Sequence, residues 1–308
     1  MIVFDRSIDD LAKAFLAPFR DRVRLHTGDV TDPTSFDGVA ERETITHVVH
    51  GAMVAHVPEW EAADPSSYVN VNVVGTMNTL EWARRLPALR RFLYVSSGGV
   101  YGDPVESSPE ATQPESGPFN PPELYAISKY TSELLTRRYG ELFGLDARLV
   151  RLSWVFGPME RVTVGRTLLS PPHAIVSGIV EDRPVTVTRR SLAAVGDFLS
   201  AEDIADAIAV LLTASDLRHA AYNVAAGELT TFSALLDAAA QVEGRARFTV
   251  VDDDQAADLD HDPALRRARW NAYDIGRIGN ELGWRPRPLV EQLRTYFDWA
   301  LDEPQRTA

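Results

Sequence analysis

Tyr125 and Lys129 stand four residues apart in the stretch YAISK, a spacing that puts both side chains on one face of a helix. An ammonium beside a phenol favours the phenolate and pulls its pKa down from about 10 towards neutral pH. A phenol tuned in this way is a general acid and base for the proton of an alcohol or a carbonyl. The competing reading is a Tyr and a Lys that merely share a solvated helix. Usage of basic residues weighs against it. Of 31 lysines and arginines only Lys13 and Lys129 are lysine, so a compact, titratable ammonium stands where the chain elsewhere uses guanidinium.

Two further stretches could serve the same chemistry. SSGGVYG, from Ser96 to Gly102, closes the apolar run RRFLYV. Ligands of open α/β sheets bind outside the carboxyl ends of the strands, where a serine can donate to a substrate oxygen and glycines let backbone come close. By itself the stretch reads equally as a glycine-rich turn, and its order before Tyr125 and Lys129 gives it weight. Asp5 ends the apolar run IVFD, the place of an acid that hydrogen-bonds the ribose of an adenine dinucleotide. Arg6 beside it suits a 2′-phosphate equally, so NAD and NADP both stay open.

Other clusters are discounted. His47, His50 and His56 crowd one region without acids at ligand spacing, so no metal site is expected and His50 reads as a strand-end side chain. VDDDQAADLDHD, residues 251–262, lacks the glycine and closing glutamate of a calcium loop and reads as a solvated loop.

Strands and helices must position these residues, and the first half of the chain alternates them. IVFD, THVVHGAMVA, RRFLYV and ARLVRLSWVF read as strands, and VRLHTGDVTD as a strand running into a turn. IDDLAKAFLAPF, a long segment beginning near Asp64 to Ser67, and PPELYAISKYTSELLTRRYGELFG read as helices, the last with prolines ahead of it and Gly144 beyond it. Such alternation gives a doubly wound parallel sheet, an α/β, Rossmann-like fold. After Gly157 the rhythm loosens. The division expected is therefore a nucleotide-binding domain over residues 1–157 and a smaller substrate lobe over 158–308, interleaved with the last sheet strands at about 194–227.

Composition bounds the function. A formal net charge of -13 repels nucleic acid and anionic membranes, so neither is expected as a partner. The absence of cysteine excludes disulfides and thiolate metal sites. No apolar run reaches the roughly 20 residues that span a bilayer, and acids rather than bases open the chain, so a cytoplasmic protein is expected.

These residues, in this order, resemble the extended short-chain dehydrogenase/reductases, the NAD-dependent epimerase/dehydratase family. GDVTD looks like the family's adenine-contacting turn, which implies Asp29 and Val30 at the base. VVHGAM looks like its fourth strand end, which implies Gly51, Ala52 and Met53 beneath the cofactor. VNVNVVGTMNTL is similar to the helix whose asparagine, here Asn72, supports the active site. SSGGVYG and YAISK supply Ser97, Tyr125 and Lys129 as the catalytic trio, and RLSWVFGP, GDFLSAEDIADAI, YNVAAGE and ELGWRP continue the pattern. The resemblance implies an NAD(P)-dependent epimerase or dehydrogenase. Tyr125 takes a hydroxyl proton, Ser97 holds the same oxygen, and Lys129 grips the nicotinamide ribose while hydride moves at a sugar-like carbon. It also implies a homodimer formed through the helices near Asn72 to Arg85 and Glu123 to Tyr139.

Three departures narrow the substrate. Dehydratases of the family carry an acidic pair directly after the catalytic hydroxyl, where this chain has Gly98 and Gly99, so 4,6-dehydration is not expected. The Arg that holds a nucleotide diphosphate is replaced by Gly196, and the Asn before V-Y-G-P by Trp154. Both losses weaken the case for a nucleotide-linked sugar, though Arg189 or Arg190 could substitute, and a smaller sugar, sugar acid or other carbonyl compound becomes competitive. Ser97, Gly98, Trp154, Arg189 and Arg190 are the substrate-binding candidates.

The family's first strand and its G-x-x-G-x-x-G turn have no counterpart, since Ile2–Asp5 matches the second strand. The order 3-2-1-4-5-6 puts that strand at the centre of the sheet. Its absence leaves edge N–H and C=O groups unpaired at ~1–3 kcal/mol each and removes the amide cradle of the pyrophosphate. The expectation is that Met1 is an internal methionine of a longer natural protein, and that the chain as given binds cofactor weakly. A catalytically silent scaffold or regulatory subunit is the rival reading.

Overall fold

A computed structural model describes residues 1–103, 111–163, 166–263 and 271–302. Two compact units emerge: residues 1–100 with 121–150, and residues 101–120 with 151–308. The division drawn from sequence lies at residue 157; the compact units part at 150, and residues 101–120 group with the second.

In the first unit, β1 (Ile2–Asp5) and β2 (Arg24–Thr27) form a parallel pair, joined by α1 (Asp10–Leu16), which Asp9 caps by accepting from the Ala12 amide at 2.8 Å. A second parallel ladder runs between β3 (His47–His50) and β4 (Arg91–Ser97). β4 lies between β3 and β6 (Ala147–Leu152), and its Phe92, Leu93 and Tyr94 are almost wholly buried, as a strand covered on both faces requires. Among the described residues no ladder joins β1 to β3. β1 and β2 therefore stand as a pair of their own, beside the four-stranded order β11-β6-β4-β3, in which β11 is Ala221–Val224.

Two helical stretches cover β4. The segment read from sequence as one helix is broken: α2 (Pro58–Ala63), α3 (Pro65–Ser67), a π-helical segment Tyr68–Val74 and α4 (Gly75–Ala83) follow one another. Pro65 ends α2 because it cannot donate to the preceding turn. The π segment arises because the Asn72 carbonyl accepts from two hydroxyls, Thr76 Oγ1 at 2.6 Å and Ser132 Oγ at 2.7 Å. Hydroxyls that bond back into the ladder redirect it locally. α5 (Leu124–Phe143) is continuous and closes on Gly144 in the left-handed region, φ 67°.

The second unit builds its own core from Phe156, Ile175, Val187, Phe198, Phe232 and Tyr296, among others. It contains β5 (Thr112–Gln113), β7 (Trp154–Phe156), α6 (Pro171–Val180), β8 (Val185–Thr188), β9 (Val195–Gly196), β10 (Phe198–Ser200), α7 (Ala201–Thr213), β11 (Ala221–Val224), β12 (Thr230–Thr231), α8 (Phe232–Val242), β13 (Phe248–Val251), β14 (Ala272–Tyr273), α9 (Gly276–Leu282) and α10 (Leu289–Asp302). Its strands mostly pair two by two: β7 with β10, β8 with β13, and β5 with β14 in parallel, β9 with β12 antiparallel. The acidic run 251–262 is more than a solvated loop. Asp258 accepts from Arg183 Nη1 at 2.9 Å and from the Thr186 amide at 2.8 Å, and Asp260 accepts from Arg190 Nη2 at 2.6 Å.

Candidate active site

Ser97, Tyr125, Lys129 and Asn72 all belong to the first unit, and short contacts gather them around the carboxyl end of β4. Ser97 is the strand's last residue, and its Oγ accepts the Gly99 amide at 3.1 Å. A Cβ added at Gly99 would lie 3.4 Å from Ser97 Oγ and 4.0 Å from Tyr125 Cε1, so the serine hydroxyl and the phenol ring flank one small residue. The Tyr125 hydroxyl reaches Met53 Sδ at 3.6 Å, which brings the loop after β3 to the same place.

Lys129 points into the fold. It is 1% exposed, and its Nζ donates to the Val95 carbonyl of β4 at 2.5 Å and lies 4.4 Å from the Tyr94 ring centroid, a cation–π arrangement. Burial pulls its pKa down to about 7, while the charge of Glu133 acts the other way. His50 ends β3 as a buried imidazole bonded to Thr76 Oγ1 at 3.0 Å. Desolvation and then the charge of Lys129 push its pKa to about 3, so it is neutral.

Asn72 ties the site together. Its Nδ2 donates to Ser128 Oγ at 2.9 Å and to the Val54 carbonyl at 3.2 Å, and its Oδ1 accepts the Val54 amide at 2.8 Å. The asparagine thus clamps the loop that carries Met53 to the helix that carries Tyr125. Beneath them Ser96 Oγ donates to Glu133 Oε1 at 2.6 Å. Sequence reasoning did not single out Glu133, Ser96 or Ser128. For Glu133 a signal existed: it lies eight residues after Tyr125 and four after Lys129, on the same helical stripe.

The residues implied to contact a dinucleotide lie in the same unit. Asp5 is exposed at the end of β1 and accepts the Ser7 amide at 2.9 Å; Arg6 beside it is exposed. Asp29 Oδ1 holds both the amide and the hydroxyl of Thr31 at 2.8 Å, and the Val30 carbonyl accepts from Asn78 Nδ2 at 2.9 Å. Val30 fits only because its neighbour is glycine: a Cβ at Gly75 would approach Val30 Cγ2 to 2.6 Å. Gly51 and Met53 are exposed, with Ala52 half-buried between them, and a Cβ at Gly51 would meet nothing closer than 3.9 Å. This open, apolar shelf beside the Tyr125 hydroxyl fits one face of a flat heterocycle. For a pyrophosphate, the described residues of this unit present no glycine-rich turn entering a helix.

The remaining substrate candidates sit in the second unit, apart from Gly98, which is buried next to Ser97. Trp154 is half-buried, with ring centroids 5.4 Å from Phe198 and 5.6 Å from His261. Arg189 is exposed with Asp252 at 3.7 Å, and Arg190 is held by Asp260. The space a side chain would need at Gly196 is filled by the Phe198 ring, with Cε1 2.8 Å from an added Cβ. Among the described residues no three His, Asp or Glu side chains group to hold a metal ion, and no helix is long and apolar enough to cross a membrane.

The parallel, Rossmann-like sheet is a fold this chain shares with solved nucleotide-sugar epimerases. A model of the NAD dependent epimerase/dehydratase family matches residues 5–225, and the chain belongs to that family. The dTDP-glucose 4,6-dehydratase of Mycolicibacterium smegmatis is 32% identical over 293 residues, covering 92% of this chain and 80% of the relative. The GDP-6-deoxy-D-mannose reductase of Pseudomonas aeruginosa is 27% identical over 285 residues, covering 89% and 86%. Among solved structures, the UDP-glucuronic acid 4-epimerase of Bacillus cereus with UDP-glucuronic acid and NAD shares the fold, with a TM-score of 0.73 at 18% identity over 97% of this chain and 90% of its own.

Proposed function

We propose that this protein is an NAD(P)-dependent enzyme that moves hydride at a sugar-like secondary alcohol or carbonyl, with Tyr125 as general acid and base. The observation that carries this reading is the buried Lys129 ammonium on the helical face of Tyr125, beneath a phenol flanked by Ser97 and Met53. Tyr125 accepts the substrate hydroxyl proton, and Ser97 Oγ donates to the same oxygen and orients it. Lys129 supplies the positive charge that favours the phenolate. A bound nicotinamide supplies the hydride acceptor and donor. Asp5 or Arg6, the Asp29–Val30 turn, and Gly51, Ala52 and Met53 are the residues of this chain that would hold the dinucleotide; Lys129, 1% exposed and bonded to the Val95 carbonyl, acts from beneath through its charge.

The relatives are named for three outcomes, dehydration, reduction and epimerisation, on nucleotide-linked sugars, and oxidation or reduction at a sugar carbon is the step common to them. Gly98 and Gly99 carry no acid to protonate a leaving hydroxyl, which favours epimerisation or simple hydride transfer over loss of water. Free and nucleotide-linked sugars and sugar acids, screened by nicotinamide absorbance, test the reading. Turnover in the wild type that falls at least ~100-fold in Tyr125→Phe supports it, and turnover that survives the substitution rejects it.

Titration with reduced nicotinamide, read by its fluorescence, tests the cofactor assignment apart from turnover: a saturable change supports it, and the lack of one counts against it. A homodimer is part of the proposal: Val69 and Met77 ahead of and along α4, and Ile127 and Leu134 along α5, are exposed apolar residues that a second copy would cover.

A further inference from the structure

We infer that Glu133 is the counter-ion of Lys129, a positioning residue that keeps the ammonium charged so that its field reaches Tyr125. The inference rests on the reading of Tyr125 and Lys129 as the proton-transfer pair, and it names what that pair needs beneath it.

Tyr125, Lys129 and Glu133 follow at intervals of four along the unbroken helix α5, so the three side chains form one stripe. The first is half-exposed and the other two are 1% exposed, which makes a column running from the site into the fold. A carboxylate so deep is costly unless it is paired and hydrogen-bonded. Glu133 has the hydrogen bond, accepting from Ser96 Oγ at 2.6 Å, and the cation next to it on the stripe is Lys129. The ammonium above it has a carbonyl, Val95 O at 2.5 Å, and the face of Tyr94. Neither carries a formal charge.

Among the described residues, the other titratable groups facing Lys129 offer no standing anion. His50, from β3, is a neutral imidazole. Tyr94, from β4, is a buried phenol whose pKa is driven up by desolvation. Tyr125, on the same helix, is the phenol whose ionisation the ammonium is to favour, so it is not the charge that keeps Lys129 protonated beforehand. Of the groups whose charge acts on Lys129 to favour its protonated form, Glu133 is the one that does so. Magnitudes make the point: a fully buried lysine with no partner falls to a pKa of about 5–6, and it would be neutral when the enzyme is asked to work.

The chain's own composition supplies the test. With lysine only at positions 13 and 129, protein labelled with 13C at lysine Cε gives two resonances, and Lys13→Arg assigns them. The midpoint for Lys129, followed against pH on the full chain, is expected near 7. It should fall by about 1 pH unit or more in Glu133→Gln, return to within half a unit in Glu133→Asp, and leave Lys13 unmoved. Should the Gln variant fail to fold, Glu133→Met carries the same criterion. A midpoint that stays put in a folded charge-free variant overturns the inference, as does a wild-type midpoint below pH 6. Neither result depends on turnover, so the proton-transfer reading stands or falls separately, with Tyr125→Phe.

Discussion

Ser96 and Ser97 end β4 side by side with their hydroxyls committed to different partners: Ser96 Oγ donates to Glu133 Oε1 at 2.6 Å, and Ser97 Oγ accepts the Gly99 amide at 3.1 Å. Successive residues of a strand face opposite ways, so one serine serves the interior and the next serves the site. Ser97→Ala should lower kcat by 10²–10³-fold, the scale on which one donor to a developing oxyanion acts, and leave the urea midpoint nearly unchanged. Ser96→Ala should instead cost about 1–3 kcal/mol of stability, because a buried carboxylate loses a donor. The pair of assays, kinetics and urea unfolding, separates the two, and an equal effect of both substitutions on both assays would sink the assignment.

The buried ammonium also sets a pH dependence. Lys129 has its pKa lowered to about 7 by burial, below the ordinary lysine value of about 10.4. The folded state therefore sheds this proton more readily than the unfolded chain does. The cost of burying the charge is fully present below pH 7 and is relieved as pH rises from about 7 towards 10.4. Lys129→Met should remove this upward slope, measured as the difference in unfolding free energy between wild type and variant across that window. In the free enzyme, kcat/KM should decline above about pH 7 as the charge that favours the Tyr125 phenolate is lost. A profile flat from pH 7 to 9 would contradict this.

What the chain displayed in advance was local. YAISK announces its chemistry because four residues of a helix place Tyr125 and Lys129 together whatever surrounds them. The strand ends at Asp5, His50 and Ser97 were legible from short apolar runs closing on small or polar residues. The π segment at Tyr68–Val74 was not, because it depends on Ser132, sixty residues away, reaching the Asn72 carbonyl. The same holds for the two-residue strands β5, β9, β12 and β14, which no periodicity can signal. Glu133 lay in plain view on the stripe of Tyr125, yet a glutamate on a helix is ordinarily solvated. Only its 1% exposure shows that it is not.

Asn72 is a structural clamp before it is anything else. Its side chain holds the Val54 amide and carbonyl and the Ser128 hydroxyl, and all of these lose a partner in Asn72→Ala. A loss of about 2–4 kcal/mol is expected from the buried polar groups left behind, together with faster amide exchange at Val54. If exchange at Val54 is unaltered, the side chain does not hold the loop that carries Met53.

The second unit carries a titration of its own at Asp197. This carboxylate is 2% exposed and accepts the amides of Ala226 at 2.7 Å and Gly227 at 3.1 Å. Burial outweighs these bonds and raises its pKa to about 6. A group whose folded pKa lies above its unfolded value of about 3.9 binds more protons when folded, so its contribution to stability is greatest below about pH 4 and is lost as pH climbs through 6. Two pH units correspond to roughly 3 kcal/mol. Asp197→Asn cannot titrate and should show no such gain, because its side chain is neutral at every pH. The difference in unfolding free energy between wild type and Asp197→Asn should therefore grow in favour of the wild type by up to about 3 kcal/mol as pH is lowered from 7 to 4. Urea titrations at those two values measure it, and a difference that shrinks instead would mean that Asp197 is held as a stabilised carboxylate by the amides around it.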